Sequence, residues 1–540
     1  MRYFLWFLIV LSSVLPGPPS VFLPAAPSVE AVDRATPLLR DRVTAAEPLR
    51  FELAGRTWIG APELVCFYAN RSFAPAWSTE ERLLPVADQL LSTLSLAGND
   101  GLRPEDYGLA ELERAALAVR RAPDAANRAE LDLLLSNAFF GYVADLSNGR
   151  ANPNRPKRKN PGESGCASAL EAGSPESILE TALAEKRVRT ALTGFAPAER
   201  SYRMLREALL RYREQAREGD PAPIAAGPRL EIGSRGERVV QLRARLLAAA
   251  KAAGAELPAT STYPDLFDES LQQAVRQFQA RNGFAEDGVV GAANLAELNR
   301  SSEERVRQIE ANLERWRWLP SQLGERYVRV NIPAFRLDAM EQDRSVLTLR
   351  VVVGKPTTST PVLSSAMNAI QLNPSWYVPK SILEGEILPK AAKDPTFLDR
   401  LGYEVISDTR LRQRPGTSNA LGKFKFVFPS PYGVYLHDTP SRSLFSRDLR
   451  ALSHGCVRVE NPFELAVWAL RDDPKWTPQE IRARLDSGKE KQVKLPEAVP
   501  VHIGYWTAWA GDDGVLRFGR DVYKQDAGLI RLLEEGRQKG

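Results

Sequence analysis

A multi-domain α+β chain is what this sequence predicts, helical up to about residue 320 and mostly β beyond. Three observations carry that reading. At 540 residues the chain is too long for one core. Several stretches before residue 320 repeat their apolar residues at helical spacing, and from Arg326 the period changes to two. Hydrophobic content of 44% and charged content of 26% are those of a globular protein. The formal charge is +5 with pI near 9.0, spread along the chain. No basic block or aromatic-basic repeat is present, so no nucleic-acid partner is expected.

In order, Met1 to Val14 carries an early Arg and then an apolar run before Pro16-Gly17-Pro18-Pro19. It reads as an export signal, with Val29-Glu30-Ala31 one cleavage site. The run is shorter than the ~20 apolar residues of a comfortable span, and an uncleaved N-terminal anchor is the alternative. Residues 32–50 read as a linker and 51–220 as a helical domain. In that domain Glu80 to Leu96 and Leu131 to Leu146 each show one helix face, and Gly149 supplies a stop. The Pro-, Gly- and Lys-rich stretch 151–175 reads as a mobile loop. A small helical module follows over 228–300, with Val239, Leu242 and Leu246 on one helix and Leu271, Val275 and Phe278 on another. A charged connecting helix (301–325) ends in Trp316-Arg317-Trp318; residues two apart do not share a face, so the rings should meet different neighbours.

The β region begins with Tyr327 to Ile332 and Leu347 to Gly354, continuing through Thr357 to Val362 and Ala369 to Asn373. An interruption at about 374–422 holds a helix from Lys380 to Lys390 and a polar, Arg-rich segment; so long a connection is functional or disordered. The sheet resumes at Phe424 to Phe428. A short helix spans Glu464 to Leu470, and Pro500 to Trp509 with Val515 to Phe518 reads as a closing hairpin. His502, in an alternating strand, reads as structural.

Chemistry concentrates at Ser453-His454-Gly455-Cys456-Val457-Arg458, which holds one of three cysteines and one of three histidines; His437 ends the Tyr435-Leu436-His437 run upstream. An imidazole that takes a thiol's proton makes a nucleophile, and glycine beside it lets backbone N–H groups reach a developing oxyanion. That is the minimum for acyl transfer through a thioester. Each residue alone could equally be a buried structural group. One Cys and two His could also ligate a metal, but the tight spacing of structural zinc sites is absent, so no metal or other cofactor is expected. An exported chain with three cysteines leaves one odd; whether Cys66 and Cys166 pair stays open.

Ser453 to Arg458 resembles the SHGC-x-R signature of the L,D-transpeptidases, whose catalytic domain is of YkuD type, and His437-Asp438-Thr439 resembles that family's histidine motif. The resemblance implies Cys456 as nucleophile, His437 as general base, the Asp438 carbonyl orienting the imidazole, and Gly455 in the oxyanion loop. It makes Ser453, His454, Arg458, Tyr435 and Trp376 substrate-binding or loop-bracing residues. The family often has Gly or Ser where this chain has Asp438, a change that a backbone carbonyl survives. The GL-x-PEDY and DL-x-NGR stretches are similar to the helical scaffold of the large multi-domain members. The 228–300 pattern of paired glycines, AV-x-x-FQ and DG-x-VG is similar to a three-helix peptidoglycan-binding module.

In those members an insertion like 374–422 is a lid over the substrate cleft, so Trp376, Tyr377, Arg410, Arg412 and Arg414 become candidate contacts for a wall peptide's carboxylates. The implied reaction is 3→3 crosslinking of stem peptides in the periplasm, insensitive to most penicillins and open to carbapenems. Peptidoglycan stem peptides and glycan are the implied partners. An L,D-carboxypeptidase, a lipoprotein-attachment enzyme, a non-catalytic wall-binding scaffold and a cysteine endopeptidase are the competing readings.

Overall fold

The computed structural model describes residues 32–45, 49–53, 56–154, 166, 171–256, 262–407 and 410–535. The expected export signal and most of the 151–175 insert lie outside the described residues. The expected linker at 32–50 instead holds a helix, Ala35–Val43, followed by the start of a strand. Ala35, Leu39 and Val43 share a face and are buried in the scaffold core, and the Arg128 guanidinium pairs with Asp33 just before the helix.

That scaffold is built around the helix Ala125–Asn148, buried on all sides, with Leu131, Leu134, Phe139 and Phe140 among its core residues. Asp124 caps it by accepting from the Asn127 amide at 2.9 Å. Gly149 ends it at φ +75°, where a Cβ would come within 2.5 Å of Glu314 Oε1. The helix expected over Glu80 to Leu96 starts later, as Pro85–Ser95, because Pro85 sets its first turn. A hairpin of β1 (Arg50–Leu53) and β2 (Arg56–Ile59) lies beside the scaffold, and Cys66 is disulfide-bonded to Cys166.

The module at 228–300 comprises helices Glu237–Ala253, Glu269–Arg281 and Ala292–Leu298 around Val239, Leu242, Phe267, Leu271 and Phe278. Helix Ser302–Trp316 joins the parts and opens with a capping box between Ser301 and Glu304. It packs on scaffold helix Arg200–Glu218 and on the C-terminal helix Asp526–Glu534. Trp316 stacks on Trp506 at 5.0 Å, while Trp318 donates to Glu314 Oε1 at 3.0 Å. Arg317 is fully buried; it donates to Glu314 at 2.9 Å and to the Asp100 carbonyl at 2.7 Å.

The C-terminal domain contributes β3 (Arg326–Asn331), β4 (Arg336–Glu341), β5 (Arg344–Gly354) and β6 (Leu363–Leu372). Within the insertion come β7 (Trp376–Tyr377), β8 (Tyr403–Ser407) and β9 (Arg410–Gln413). The main sheet resumes with β10 (Phe424–Val427), β11 (Leu436–His437), β12 (Ala451–Ser453), β13 (Val457–Val459) and β14 (Lys491–Gly504). Its order is β12-β5-β13-β11-β10-β6-β14-β3-β4, and β4 also pairs with β5, so the sheet closes on itself with β12 as a branch.

Two strand expectations are corrected. Thr357 to Val362 is not a strand: Pro356–Thr358 is a 3₁₀ turn, and the Thr360 hydroxyl takes the Gly354 amide at 2.9 Å. The expected closing hairpin is also narrower. Pro500 to Gly504 belongs to β14, paired with β3 and β6, and only β15 (Ala508–Ala510) and β16 (Leu516–Phe518) form the hairpin. His502 on β14 hydrogen-bonds Ser364 Oγ at 2.9 Å and the Leu323 carbonyl at 3.2 Å, a structural role.

The insertion is a small folded body. Its three strands run β7-β9-β8, and Trp376, Leu383, Ile387, Tyr403 and Leu411 form a core of their own. Its two ends are tied where the Asn373 amide donates to the Lys423 carbonyl at 2.9 Å.

The joining helix grips the C-terminal domain through Arg315, which meets Asp526 at 2.6 Å, and Asp526 also accepts from Thr507 at 2.8 Å. Asp526→Ala strips the buried guanidinium of its counter-charge. We expect a loss of about 3–5 kcal/mol, read as a lowered denaturant midpoint for the C-terminal domain.

Candidate active site

Two very short strands position the candidate residues. β11 pairs in parallel with β13, placing His437 opposite Arg458, and antiparallel with β10, placing His437 opposite Lys425. Cys456 is the residue immediately before β13. The chain reaches it from β12, a parallel neighbour of β5, through the loop at 454–456. Gly455 turns that loop at φ +111°, a conformation few side chains adopt.

Hydroxyls hold the loop rigid. Ser453 Oγ donates to the Cys456 carbonyl at 2.6 Å and accepts from the Gly455 amide at 3.1 Å. Thr360 Oγ1 donates to the Gly455 carbonyl at 2.8 Å, and Thr358 Oγ1 to the Ser453 carbonyl at 3.1 Å. With its carbonyl held, the Cys456 peptide leaves its own amide without a partner among the described residues, whereas the Gly455 amide is engaged by Ser453.

His437 is buried, and its Nδ1 meets the Asp438 carbonyl. That contact favours the tautomer protonated at Nδ1, leaving the lone pair on Nε2 for proton transfer. Burial, reinforced by the Arg458 and Lys425 charges, lowers the imidazole to about 3, so it is neutral at ordinary pH. Burial also pushes the Cys456 thiol above 9.0. Against burial work hydrogen bonds from Tyr435 to the sulfur, then the charges of Lys425 and Arg458. The resting pair is therefore thiol and imidazole, with cations waiting for the thiolate.

Asp438 does more than present a carbonyl. Its carboxylate accepts from the Thr439 amide at 2.7 Å, the Lys423 amide at 2.7 Å and Arg442 at 2.5 Å. Because Lys423 closes the base of the insertion, this side chain fastens the neighbour of His437 to that base. Gly422 at φ +59° leaves space for it: a Cβ there would lie 2.3 Å from Asp438 Oδ2.

The expected residues divide into two groups. Cys456, His437, Asp438, Gly455, Ser453, Arg458, Tyr435 and Trp376 converge; Trp376 hydrogen-bonds the Tyr435 side chain, which in turn reaches the sulfur. Arg458 is half-buried, with its Nε lacking a hydrogen bond. His454 faces the insertion and meets Glu386 Oε1 at 2.6 Å. Among the insertion's candidates, Arg412 and Arg414 pair with Glu404, and Tyr377 and Arg410 are exposed.

Sequence reasoning missed Lys425, Glu386 and Thr360. Lys425 lies with its Nζ 4.3 Å from the centre of the Tyr435 ring, and burial lowers its pKa while the Cys456 charge opposes that. The sequence carried no signal for it: alternation sets Lys425 on the face opposite the buried Phe424 and Phe426, where a strand lysine is ordinary.

Lys425→Met removes a positive charge that lowers the Cys456 pKa, so the rise of thiol alkylation by iodoacetamide with pH should move to higher pH, with the rate at neutral pH falling by about tenfold. An unchanged profile would mean that the ammonium does not reach the sulfur. Glu386→Gln should loosen the insertion over the loop, read as faster amide exchange at 380–393 with the fold intact.

Three stretches of the chain match known family profiles. Residues 325–483 match the profile of the YkuD L,D-transpeptidase catalytic domain, 235–298 that of a domain provisionally described as peptidoglycan binding, and 62–209 that of a scaffold domain. The chain thus carries an L,D-transpeptidase catalytic domain beside a peptidoglycan-binding domain and a helical N-terminal region. A Haemophilus influenzae protein provisionally named an L,D-transpeptidase is 32% identical over 255 residues, 43% of this chain and 51% of that protein. The chain spans about half the length of this relative. Among solved structures, the L,D-transpeptidase of Xylanimonas cellulosilytica is 18% identical, with 52% of this chain and 98% of that one covered at a TM-score of 0.19. The catalytic domain of an E. faecium L,D-transpeptidase acylated by ertapenem is 14% identical, with 34% and 98% covered, also at 0.19. With TM-scores this low, nothing further follows from them.

Proposed function

We propose that this protein is an exported L,D-transpeptidase that makes 3→3 crosslinks between peptidoglycan stem peptides through a Cys456 thioester. One observation carries the reading: the strand pairing that sets His437, with its Nδ1 on the Asp438 carbonyl, beside the strand that Cys456 opens. The matched peptidoglycan-binding domain supports wall peptide as the substrate.

In the first half-reaction the Cys456 proton passes to His437 Nε2, and the sulfur attacks the carbonyl carbon at the L-centre of the third stem residue. The Cys456 amide donates to the oxyanion; one such donor is worth ~10²–10³ in rate. Lys425 and Arg458 offset the charge that burial disfavours. The C–N bond to the terminal D-residue breaks, and the leaving amine takes the proton from His437. In the second half-reaction the side-chain amine of an acceptor stem attacks the thioester and gives its proton to His437, which returns it to the departing Cys456 thiolate, so that the thiol and neutral imidazole are restored. Arg458, with an unpaired Nε, suits a substrate carboxylate. Glu386 on His454 would hold the insertion closed as a lid during the chemistry.

The test is mass spectrometry of disaccharide-tetrapeptide after incubation with the full chain and with Cys456→Ala. A Cys456-dependent dimer, lighter than two monomers by one D-alanine, is the expected product. Tripeptide without dimer would make water the acceptor, and identical product from Cys456→Ala would overturn the nucleophile. Since His437 is held near 3, kcat/KM should stay flat from neutral pH well below 6.5, the usual histidine value. A fall centred near 6.5 would contradict the buried, neutral base.

A further inference from the structure

Away from the catalytic cleft, a cavity of about 40 Å³ lies where the scaffold, the small module and the C-terminal domain meet. Tyr212 of the scaffold, Phe278 of the module and Phe518 of β16 contribute to its wall. Its charges do not balance. Arg245, Arg281, Arg300 and Arg305 line it, against Asp220 and Glu297.

Both acids are already engaged. Asp220 accepts from the Ser302 amide at 2.8 Å and from its hydroxyl at 2.6 Å. Glu297 pairs with Arg305, with Arg300 at 3.7 Å from the same oxygen. Arg305 also bonds Gln308 and Asn282 and lies 3.9 Å over the Phe518 ring. Arg245 is 8% exposed, and among the described residues it reaches only backbone carbonyls, those of Ala222 and Arg300.

Arg281 stands apart. It is 9% exposed and lines the cavity, yet it has no hydrogen bond or carboxylate among the described residues. Burial lowers its pKa and the like-charged Arg517 works in the same direction, while the Tyr212 phenol beside it, its own pKa raised by burial, stays neutral. A guanidinium stays protonated even so, and an uncompensated buried charge is costly. Among the described residues no carboxylate supplies a counter-charge to this group.

We infer that this cavity binds a small oxyanion, phosphate or carboxylate, with Arg281 as its principal ligand and Arg245 beside it. A single water needs ~10–15 Å³, so the space takes an anion of a few heavy atoms. Guanidinium groups match the paired oxygens of both chemistries. Bound there, the anion would neutralise Arg281 and tie the module to its two neighbours. This inference is independent of the transpeptidase reading.

The experiment compares thermal unfolding of the full chain and Arg281→Met in inorganic phosphate and in chloride at equal ionic strength. In chloride, Arg281→Met should melt at or above the wild type, because an unpaired buried charge is gone. Saturating phosphate should raise the wild-type Tm by about 4 °C and leave the variant unmoved. A parallel arm uses disaccharide-tetrapeptide with Cys456→Ala, alone and combined with Arg281→Met. An Arg281-dependent rise there without one in phosphate would make a wall-peptide carboxylate the source. No Arg281-dependent rise with either probe overturns the site, as does an Arg281→Met protein that is less stable in chloride. If Arg281→Met does not fold, Arg245→Met carries the same comparison, and Arg281→Lys should keep a weakened response.

Discussion

The parallel pairing of β11 with β13 is the constraint on which the site depends. β11 spans two residues and β13 three, so neither would hold its place alone. Each is fixed by its other neighbour, β11 by β10 and β13 by β5. Closure of the sheet removes the free edge that would let so short a pair slip. Because side chains alternate along a strand, a one-residue slip would turn His437 away. The histidine's geometry is thus a property of the whole closed sheet.

Burial then sets the electrostatics. The same desolvation that keeps His437 neutral makes the Cys456 thiolate costly, and two cations in the wall, Lys425 and Arg458, act against that cost. Both cations have their own pKa values lowered by burial, so each gains from an anion at the sulfur or in the substrate. The arrangement is poised for charge that develops during reaction, when preorganised groups are worth most. Asp438 joins this wall to the base of the insertion, and Glu386 joins the insertion's helical side to His454. Two polar contacts thus bind the insertion to the His437 and Cys456 segments.

Much of this was legible in the sequence, for a physical reason in each case. Cys456 and His437 stood out because cysteine and histidine are scarce here and their neighbours are glycine and short polar residues. Period changes marked the shift from helix to sheet at Arg326. Lys425 was not legible, because its meaning lies in a cross-strand pairing with His437 that no local pattern states. Glu386 was hidden likewise: only the folded insertion brings it to His454. The helix Ala35–Val43 could have been found from its apolar residues four apart, but the surrounding charges and prolines masked a short helix stabilised by tertiary burial. Thr357 to Val362 shows the converse, a β-favouring run diverted when threonine hydroxyls brace the loop before Cys456.

The central claim is that Cys456 forms a covalent acyl intermediate with His437 as its proton carrier. Rapid-quench intact-protein mass spectrometry with a disaccharide-tetrapeptide donor and no added acceptor, followed by peptide mapping, tests it most directly. The account predicts a transient adduct of the donor less its terminal D-residue on the peptide containing Cys456, slowed severely in His437→Gln and absent in Cys456→Ala. An adduct at another residue, or equal adduct formation in His437→Gln, would contradict it.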